Sequence, residues 1–565
     1  MSITQESLNG HDVDNWGGTV RILTLVALCC FLSPVLAQEV FIVSPSDRKV
    51  AQGLSPQSSR SLEHIRLMDA REGLRQLNCR TRTLVHVNQV LTLCPNGVDR
   101  ARVEEHLGAL LGSHFEVSHD SVLYRPGTVN ESNSPSALSA SPHLRDTLMM
   151  SAANGFSGND SPSISVAPNG TQTLVAVIDT GATLSHPYLS SALNTNSAES
   201  ADGIDNDGNG YVDDIFCANS IERNGNCAEV GTDHGSHVAG LVKVVRDQAI
   251  VKYPNASRVT LLPIRFIGAS GVGTTAVAIA AVDYAIQRGA KVINASWGAR
   301  GEAAFSQALF DAFARAYWEH NIFISVAAGN ADASGPNNND LVPYFPSSFN
   351  IPGLMSVGSV TPQYFSVSGG GQMYGSAPQS DFSNYGRLSV DIFAPGGMSN
   401  SPSDFNGGVW SVNAAYPSGP AFVRKKGTSM AAPIVAGIAA VVRALNPSLT
   451  AYEVKEVILD TGRLHSGYKD VTSSMAVQAA QAMSAALLRS STGKKPAVTA
   501  PFYFTSSQAG STSNRKDSGG CGLVQDASVP PDGPWGGNSL GLISALYFAF
   551  VGARKWLAQR KKFRV

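Results

Sequence analysis

Between Thr173 and Gly462 the chain carries a succession of short apolar runs: "LVAVID", "VTLLPIRFI", "KVINASWG", "IFISVAAGN", "LMSVGSV" and "LSVDIFAPG". Each is too short for a free-standing helix, and none alternates apolar with polar residues as a strand with one wet face does. Helical stretches such as "TTAVAIAAVDYAIQRG" and "EAAFSQALFDAFARAYWEH" separate several of them. Near-continuous apolar strands need cover on both faces. The pattern therefore predicts an α/β domain, a mostly parallel central sheet with helices on both faces. In such sheets functional groups gather beyond the carboxyl ends of the strands. Asp179 ends "LVAVID" and Asn330 follows "FISVAAG", so both are expected there.

The remainder of the 565 residues divides around this domain, taken as 171–465. Residues 1–37 hold the apolar run "ILTLVALCCFL" and end in "SPVLA", the form of a secretory signal, with a short buried helix as the alternative. The acidic Glu6, Asp12 and Asp14 are unusual ahead of such a run and would be explained by translation starting later, at Val20. Residues 38–130 read as a small α/β module. In it "TRTLVHVNQVLTLC" and "HFEVSHDSVLYRP" are β-like, and "DRARVEEHLGALLG" has helical spacing. A Ser, Asn and Pro-rich linker, 131–170, follows. After 465 come one more helical stretch and a Ser/Thr-rich region, 466–518. The last part, 519–565, contains Cys521, an apolar run of 15 residues and a tail with six basic and no acidic residues. That run is short of the ~20 residues of a comfortable membrane span. The basic tail fits a cytoplasmic-side stop, with a membrane-surface helix as the alternative.

In an exported protein the close cysteine pairs 79 with 94 and 217 with 227 suit local disulfides, which leaves Cys521 over. The net charge of -1 offers no basic footprint for nucleic acid.

Chemistry-bearing residues begin with "GTDHGSHVAG" (231–240). A zinc-protease helix would read H-E-x-x-H; here His234 and His237 are three apart with Gly235 and Ser236 between them, and no third ligand lies at a recognisable spacing. His237 falls near Leu241 on the apolar face of a helix and reads as a packed histidine. His234, at the helix entrance, suits a base, because a neutral imidazole titrates near pH 6.5. In "KKGTSMAAPIVAGIAAVVRAL", Gly427 permits a tight turn and Ser429 begins an apolar helix. Alone, Ser429 is as readily a capping serine as a nucleophile. A serine hydroxyl attacks only when a base takes its proton, and the base needs a carboxylate to fix its tautomer. Asp179, His234 and Ser429 occur in the chain order Asp, His, Ser.

The blocks "VAVIDTG", "DHGSHVAG", "VINASWG", "VAAGN" and "GTSMAAPIVAG" resemble, in order and spacing, those of the subtilisin-like serine proteases, over roughly residues 170–465. The resemblance implies that Asp179, His234 and Ser429 form the triad and that Asn330 donates to the oxyanion. It further implies that Ser296, Trp297 and Gly298 form an edge along which substrate lies as an added strand, with "GASGVG", including Gly271, as the opposite wall. No acidic cluster demands a basic residue before the cleaved bond, so broad or apolar preference is expected. Residues 38–130 become a prodomain that assists folding and blocks the cleft as an intramolecular inhibitor. The C-terminal arrangement resembles bacterial sorting signals, which points to an exported bacterial protein held at the envelope.

The loop "DGIDNDGNGYVDD" (202–214) sets Asp205, Asp207, Asn209 and Asp213 at positions 1, 3, 5 and 9 of a calcium loop, with Gly210 at 6; Phe216 stands where a bidentate Glu is usual. Calcium is thus the expected cofactor, with a solvated surface turn as the alternative, and no organic cofactor is implied. Many relatives carry "HPDL" after the first block and a calcium-binding insertion in the histidine helix. This chain has "HPYL", with Tyr188, and no such insertion, so that site is not expected. The reading is a secreted or surface-attached serine endopeptidase acting on polypeptides and made as a zymogen. Its rivals are an inactive binding protein on the same scaffold and, more distantly, a metal hydrolase using His234 and His237.

Overall fold

The computed structural model describes residues 39–131 and 172–498 together with Tyr503, apart from 46–55, 96, 113–114, 125–128, 230, 251, 362–363, 368–370, 375–377, 398–407, 420 and 465–474. The expected signal sequence, the linker and the segment 519–565 lie outside the described residues.

The N-terminal module runs β1 (Val40–Pro45), α1 (Pro56–Gln76), β2 (Arg80–Leu84), β3 (Gln89–Leu93), α2 (Arg100–Leu111) and β4 (Phe115–His119). Its strands form an antiparallel sheet in the order β2-β3-β1-β4. "TRTLVHVNQVLTLC" is a hairpin whose turn ends at Asn88, with φ +53° in the left-handed region that asparagine tolerates. A disulfide between Cys79 and Cys94 joins the two ends of this hairpin. Side chains alternate across β1: Phe41 and Val43 pack with Leu67, Leu74, Val103 and Leu107, whereas Ile42 joins the core of the larger domain. The module is thus seated on that domain through the back of its sheet.

Two short strands follow, β5 (Val122–Tyr124) and β6 (Val129–Glu131). The larger domain then runs β7 (Thr173–Asp179), α3 (Pro187–Ser190), β8 (Ala218–Asn219), α4 (His234–Ile250), β9 (Val259–Arg265), β10 (Val272–Thr274), α5 (Thr275–Gln287), β11 (Val292–Ala295), β12 (Ala299–Arg300), α6 (Gln307–Trp318) and β13 (Phe323–Ala327). It continues with β14 (Tyr344–Phe345), β15 (Leu354–Val360), β16 (Tyr364–Val367), β17 (Gly371–Tyr374), β18 (Ile392–Pro395), β19 (Val409–Val412) and β20 (Phe422–Lys426). The last elements are α7 (Thr428–Leu445), α8 (Ala451–Asp460), β21 (Arg463–Leu464), β22 (Met475–Ala476) and α9 (Ala479–Leu488).

The central sheet has nine strands in the order β21-β22-β18-β15-β13-β11-β7-β9-β8, and every neighbouring pair is parallel except β21 with β22. The expected parallel α/β domain is what the chain forms. Every residue of β7, β11, β13 and β15 is buried, which is why these runs are apolar without alternation. Helices α4 and α7 pack together on one face, α5 and α6 on the other. Helix α7 is apolar enough to suggest a membrane span, but 94% of it is buried in this core. The chain passes from β7 to β9 on one side and returns to β11 on the other, so the strand order reverses beside β7. Groups just beyond the carboxyl ends of β7 and β11 therefore face the crevice that such a switch point opens.

Helix α4 is uninterrupted from His234 to Ile250. Beside it, Tyr188 in α3 lays its ring over the Lys243 ammonium at 3.9 Å, and Lys243 Nζ reaches Asp247 at 2.5 Å.

Candidate active site

Asp179 closes β7 and His234 opens α4, and the two meet: His234 Nδ1 donates to Asp179 Oδ1 at 2.7 Å with both side chains fully buried. The same carboxylate oxygen accepts the Thr180 N–H at 2.7 Å. With Nδ1 committed as donor, the lone pair of the neutral ring lies on Nε2. That atom is buried with no hydrogen-bond partner, an arrangement costly enough to point to a role.

Ser429 is the second residue of α7. Gly427 before it turns the chain at φ 147°, and Gly427 N is anchored on Gly396 O at 2.8 Å. Pro433 is the sixth residue of α7, inside the helix; the carbonyl its missing N–H would leave over, Ser429 O, accepts from Ser296 Oγ instead. Ser429 Oγ donates to Ser296 O at 3.2 Å, and Ser296 Oγ donates back to Ser429 O at 2.9 Å, so nucleophile candidate and edge strand are laced together. Asn330, beyond β13, accepts on Oδ1 from both the N–H and the hydroxyl of Thr428, each at 2.9 Å. This fixes which end of the amide accepts and which donates, one residue from Ser429.

His237 and Asp233 are accounted for separately. His237 Nε2 lies 3.0 Å from Val409 O and 3.1 Å from Val423 O, bridging β19 and β20; burial first, and then the Lys425 charge, hold it well below the usual imidazole range. Asp233 accepts from the buried Lys425 Nζ at 2.6 Å. Neither touches Asp179.

Of the expected cleft residues, Gly298 exchanges both backbone hydrogen bonds with Tyr124, at 2.8 and 3.1 Å. A Cβ there would lie 2.4 Å from Phe345 O, so only glycine fits beside that backbone. The Trp297 side chain turns away from the cleft: its indole N–H donates to Ile178 O at 2.8 Å, and its ring packs on Phe266 and Phe313. Gly271, at φ +77°, closes a tight turn onto Gly268 O, and the pairing edge is the strand after it, β10. β5 lies antiparallel on β10, with Gly273 opposite Leu123 and Val272 opposite Tyr124. On the other side, β6 lies antiparallel on β20, the strand that leads into Gly427 and Ser429. Nothing in the sequence marks these two pairings, because the partners lie more than a hundred residues apart and carry no shared pattern.

In the acidic loop, the carboxylate oxygens that come together belong to Glu199, Asp207 and Asp214, all within 4.8 Å of one another. Asp205 accepts the N–H groups of Asn209 and Gly210 at 3.0 and 2.8 Å, and Asp213 those of Asp202 and Gly203 at 3.1 and 2.9 Å. These two shape the loop, while Asp207 faces the cluster. Asn209 adjoins it by donating to Asp214 Oδ2 at 3.0 Å. Glu199 and Asp214 were not among the expected ligands: Glu199 precedes the loop, and Asp214, within it, falls at position 10, which the template of alternating positions skips. Burial raises the Asp214 carboxyl, opposed by hydrogen bonds from Tyr284 and Asn209 and by the Arg288 charge. The second expected disulfide, Cys217–Cys227, is present just after this loop.

The Subtilase family model matches residues 170–501. Subtilisin DY of Bacillus licheniformis is 29% identical over 293 residues, 52% of this chain and 84% of that protein. Thermitase of Thermoactinomyces vulgaris is 28% identical over 299 residues, 53% of this chain and 84% of that protein. Among solved structures, fervidolysin from Fervidobacterium pennivorans, described as a keratinolytic enzyme related to subtilisin, superposes with a TM-score of 0.50 at 21% identity, covering 79% of this chain and 61% of that one. At that identity the likeness speaks for the fold.

Proposed function

The chain belongs to the subtilase family and is a serine peptidase, and from that premise we propose that it is an exported endopeptidase, made as a zymogen, that works through Asp179, His234 and Ser429. The observation that carries the roles is the 2.7 Å hydrogen bond from His234 Nδ1 to Asp179, which leaves Nε2 as the buried proton acceptor.

Ser429 Oγ leaves Ser296 O and attacks the peptide carbonyl carbon while its proton passes to His234 Nε2. Asp179 stabilises the imidazolium without taking the proton. The carbonyl oxygen becomes an oxyanion that accepts from the Asn330 side-chain N–H and the Ser429 backbone N–H, the latter at the positive end of α7. Collapse breaks the C–N bond, and the proton on His234 goes to the departing amine. Water, deprotonated by the same histidine, then cleaves the acyl ester. Removing one oxyanion donor costs about 10²–10³ in turnover, the figure measured in the related subtilisin.

Polypeptide substrate is held as an added strand between β10 and Gly298, the positions that β5 occupies. That occupancy supports residues 38–130 as an inhibitory prodomain. The two disulfides suit an oxidising compartment. Attachment through the C-terminal segment rests on the sequence alone.

For calcium, the donor set fits: three carboxylates within 4.8 Å offer only oxygen, the choice of a hard cation, and among the described residues one guanidinium, that of Arg288, pairs with them. Glu199, Asp207 and Asp214 would hold the ion. Its contribution would be structural, tying the loop that leads through Cys217–Cys227 toward His234.

The test is labelling of the processed protein with a serine-directed fluorophosphonate. Label is expected on Ser429 and absent in Ser429→Ala. Folded, processed protein that takes no label at Ser429 would overturn the reading.

A further inference from the structure

We propose that Glu229 is a positioning residue that holds the Asp179–His234 pair from behind, an inference that rests on the serine-peptidase reading of that pair. Glu229 lies in the loop between Cys227 and α4, and its carboxylate collects hydrogen bonds from both sides of the pair. On one side Thr180, the residue after Asp179, donates its hydroxyl to Oε1. On the other, the residues after His234 point their N–H groups at it: Gly235 to Oε1 at 2.7 Å and Ser236 to Oε2 at 3.1 Å. Gly235 N also reaches Thr180 Oγ1 at 2.8 Å, which closes the network. One carboxylate therefore holds the backbone just after His234 and the side chain of the residue just after Asp179.

Two further observations separate this from an ordinary cap. The first turn of a helix leaves N–H groups without intrahelical partners, and the residue just before the helix normally satisfies them. Asp233 occupies that place but is spent on Lys425, at 2.6 Å. Glu229 takes over from a distance, and in doing so ties α4 to the end of β7. The junction also has no slack. A Cβ on Gly235 would lie 2.2 Å from Gly181 O and 3.0 Å from Thr180 Oγ1, so the start of α4 sits directly on the turn that follows Asp179. The other side of Glu229 borders a hollow of about 380 Å³ that Thr183, Thr232, Asp233 and Asn413 also line. Without the carboxylate, only water from that hollow could take its place, and water sets no fixed distance between the two elements.

The experiment is Glu229→Gln in the full chain, processed as the wild type is. The amide keeps the volume but turns one acceptor into a donor facing N–H groups. The expected result is a kcat lower by about 10²-fold, the scale of a misplacement near 1 Å, with KM little changed. Fluorophosphonate labelling of Ser429 should slow in proportion, and the downfield resonance of the His234 Nδ1 proton should shift or broaden. Thr180→Val, which removes one arm of the network, should show the same pattern in milder form and covers the case in which Glu229→Gln fails to fold. Wild-type kcat and an unmoved His234 resonance in either folded variant would overturn the proposal while leaving the peptidase reading intact. A wild type that neither labels nor cleaves peptides would overturn both.

Discussion

If the N-terminal module is the inhibitor proposed above, replacing Asp283 with alanine should loosen it without harming the chemistry. Asp283 lies on α5, and its Oδ1 accepts the N–H of His86 at 2.8 Å and of Val87 at 3.0 Å, both in the turn of the β2–β3 hairpin. A hydrogen bond to a charged group contributes about 1.5–3 kcal/mol, so two would set an upper figure of about 3–6 kcal/mol. Against this, burial raises the Asp283 carboxyl despite the opposing His86 and Arg82 charges, so the site on balance resists the ionised form. The substitution recovers that penalty. The net loss should fall below the upper figure, at about 2 kcal/mol, or about 30-fold in the apparent inhibition constant of the module. The assay is recovery of activity toward a fluorogenic peptide when the processed complex is diluted. The mature enzyme should keep its kcat and KM, because Asp283 makes no contact with Asp179, His234 or Ser429. An unchanged inhibition constant would refute the idea that this hairpin turn is a principal hold. So would a fall in kcat of the same size.

Two other outcomes follow from the site. Chelation should lower the melting temperature: saturation at a hundredfold excess over Kd contributes about 2.7 kcal/mol, and Asp214→Asn or Glu199→Gln should abolish the difference, measured by scanning calorimetry with and without calcium. Glu229 adds a pH dependence of stability. Burial, with a smaller contribution from the Asp179 charge, lifts its carboxyl from the ordinary 4.5 to about 7. The folded state thus binds more protons than the unfolded one between these values, and stability from this group is full below about 4.5 and lost as pH rises through about 7. Thermal melts across that window should decline in the wild type and flatten in Glu229→Gln.

The sheet was legible because both faces of it are buried, and double burial writes unbroken apolar runs such as "LVAVID" into the chain. Asp179, His234, Ser429 and Asn330 could be picked out as candidates because each stands where such a run ends or a helix begins. Glu229 could not. It is a single acidic residue in a loop, without periodicity, and Asp233 occupies the place where a cap would be sought. The carboxylate cluster was partly legible: Asp207 stands at a ligand position of the loop motif, Asp214 lies in the same loop at a position the template skips, and Glu199 joins only through the fold. "TRTLVHVNQVLTLC" reads as strand throughout, since its turn contains neither glycine nor proline, and only Asn88 hints at the reversal.

The pairing of β5 with one wall of the cleft and of β6 with the strand before Ser429 has a kinetic consequence. Only four residues, 125–128, separate these two strands. If the chain is cut between them, both new ends stay zipped in place, so the cut itself releases nothing. Activity would then emerge only as the strands peel away, a first-order clock whose period does not depend on how much protein is present. On the proposed zymogen reading, the interval between that cut and the onset of activity would be set by the grip of the hairpin turn on α5 and of β5 on β10, and would be tunable without touching the catalytic groups.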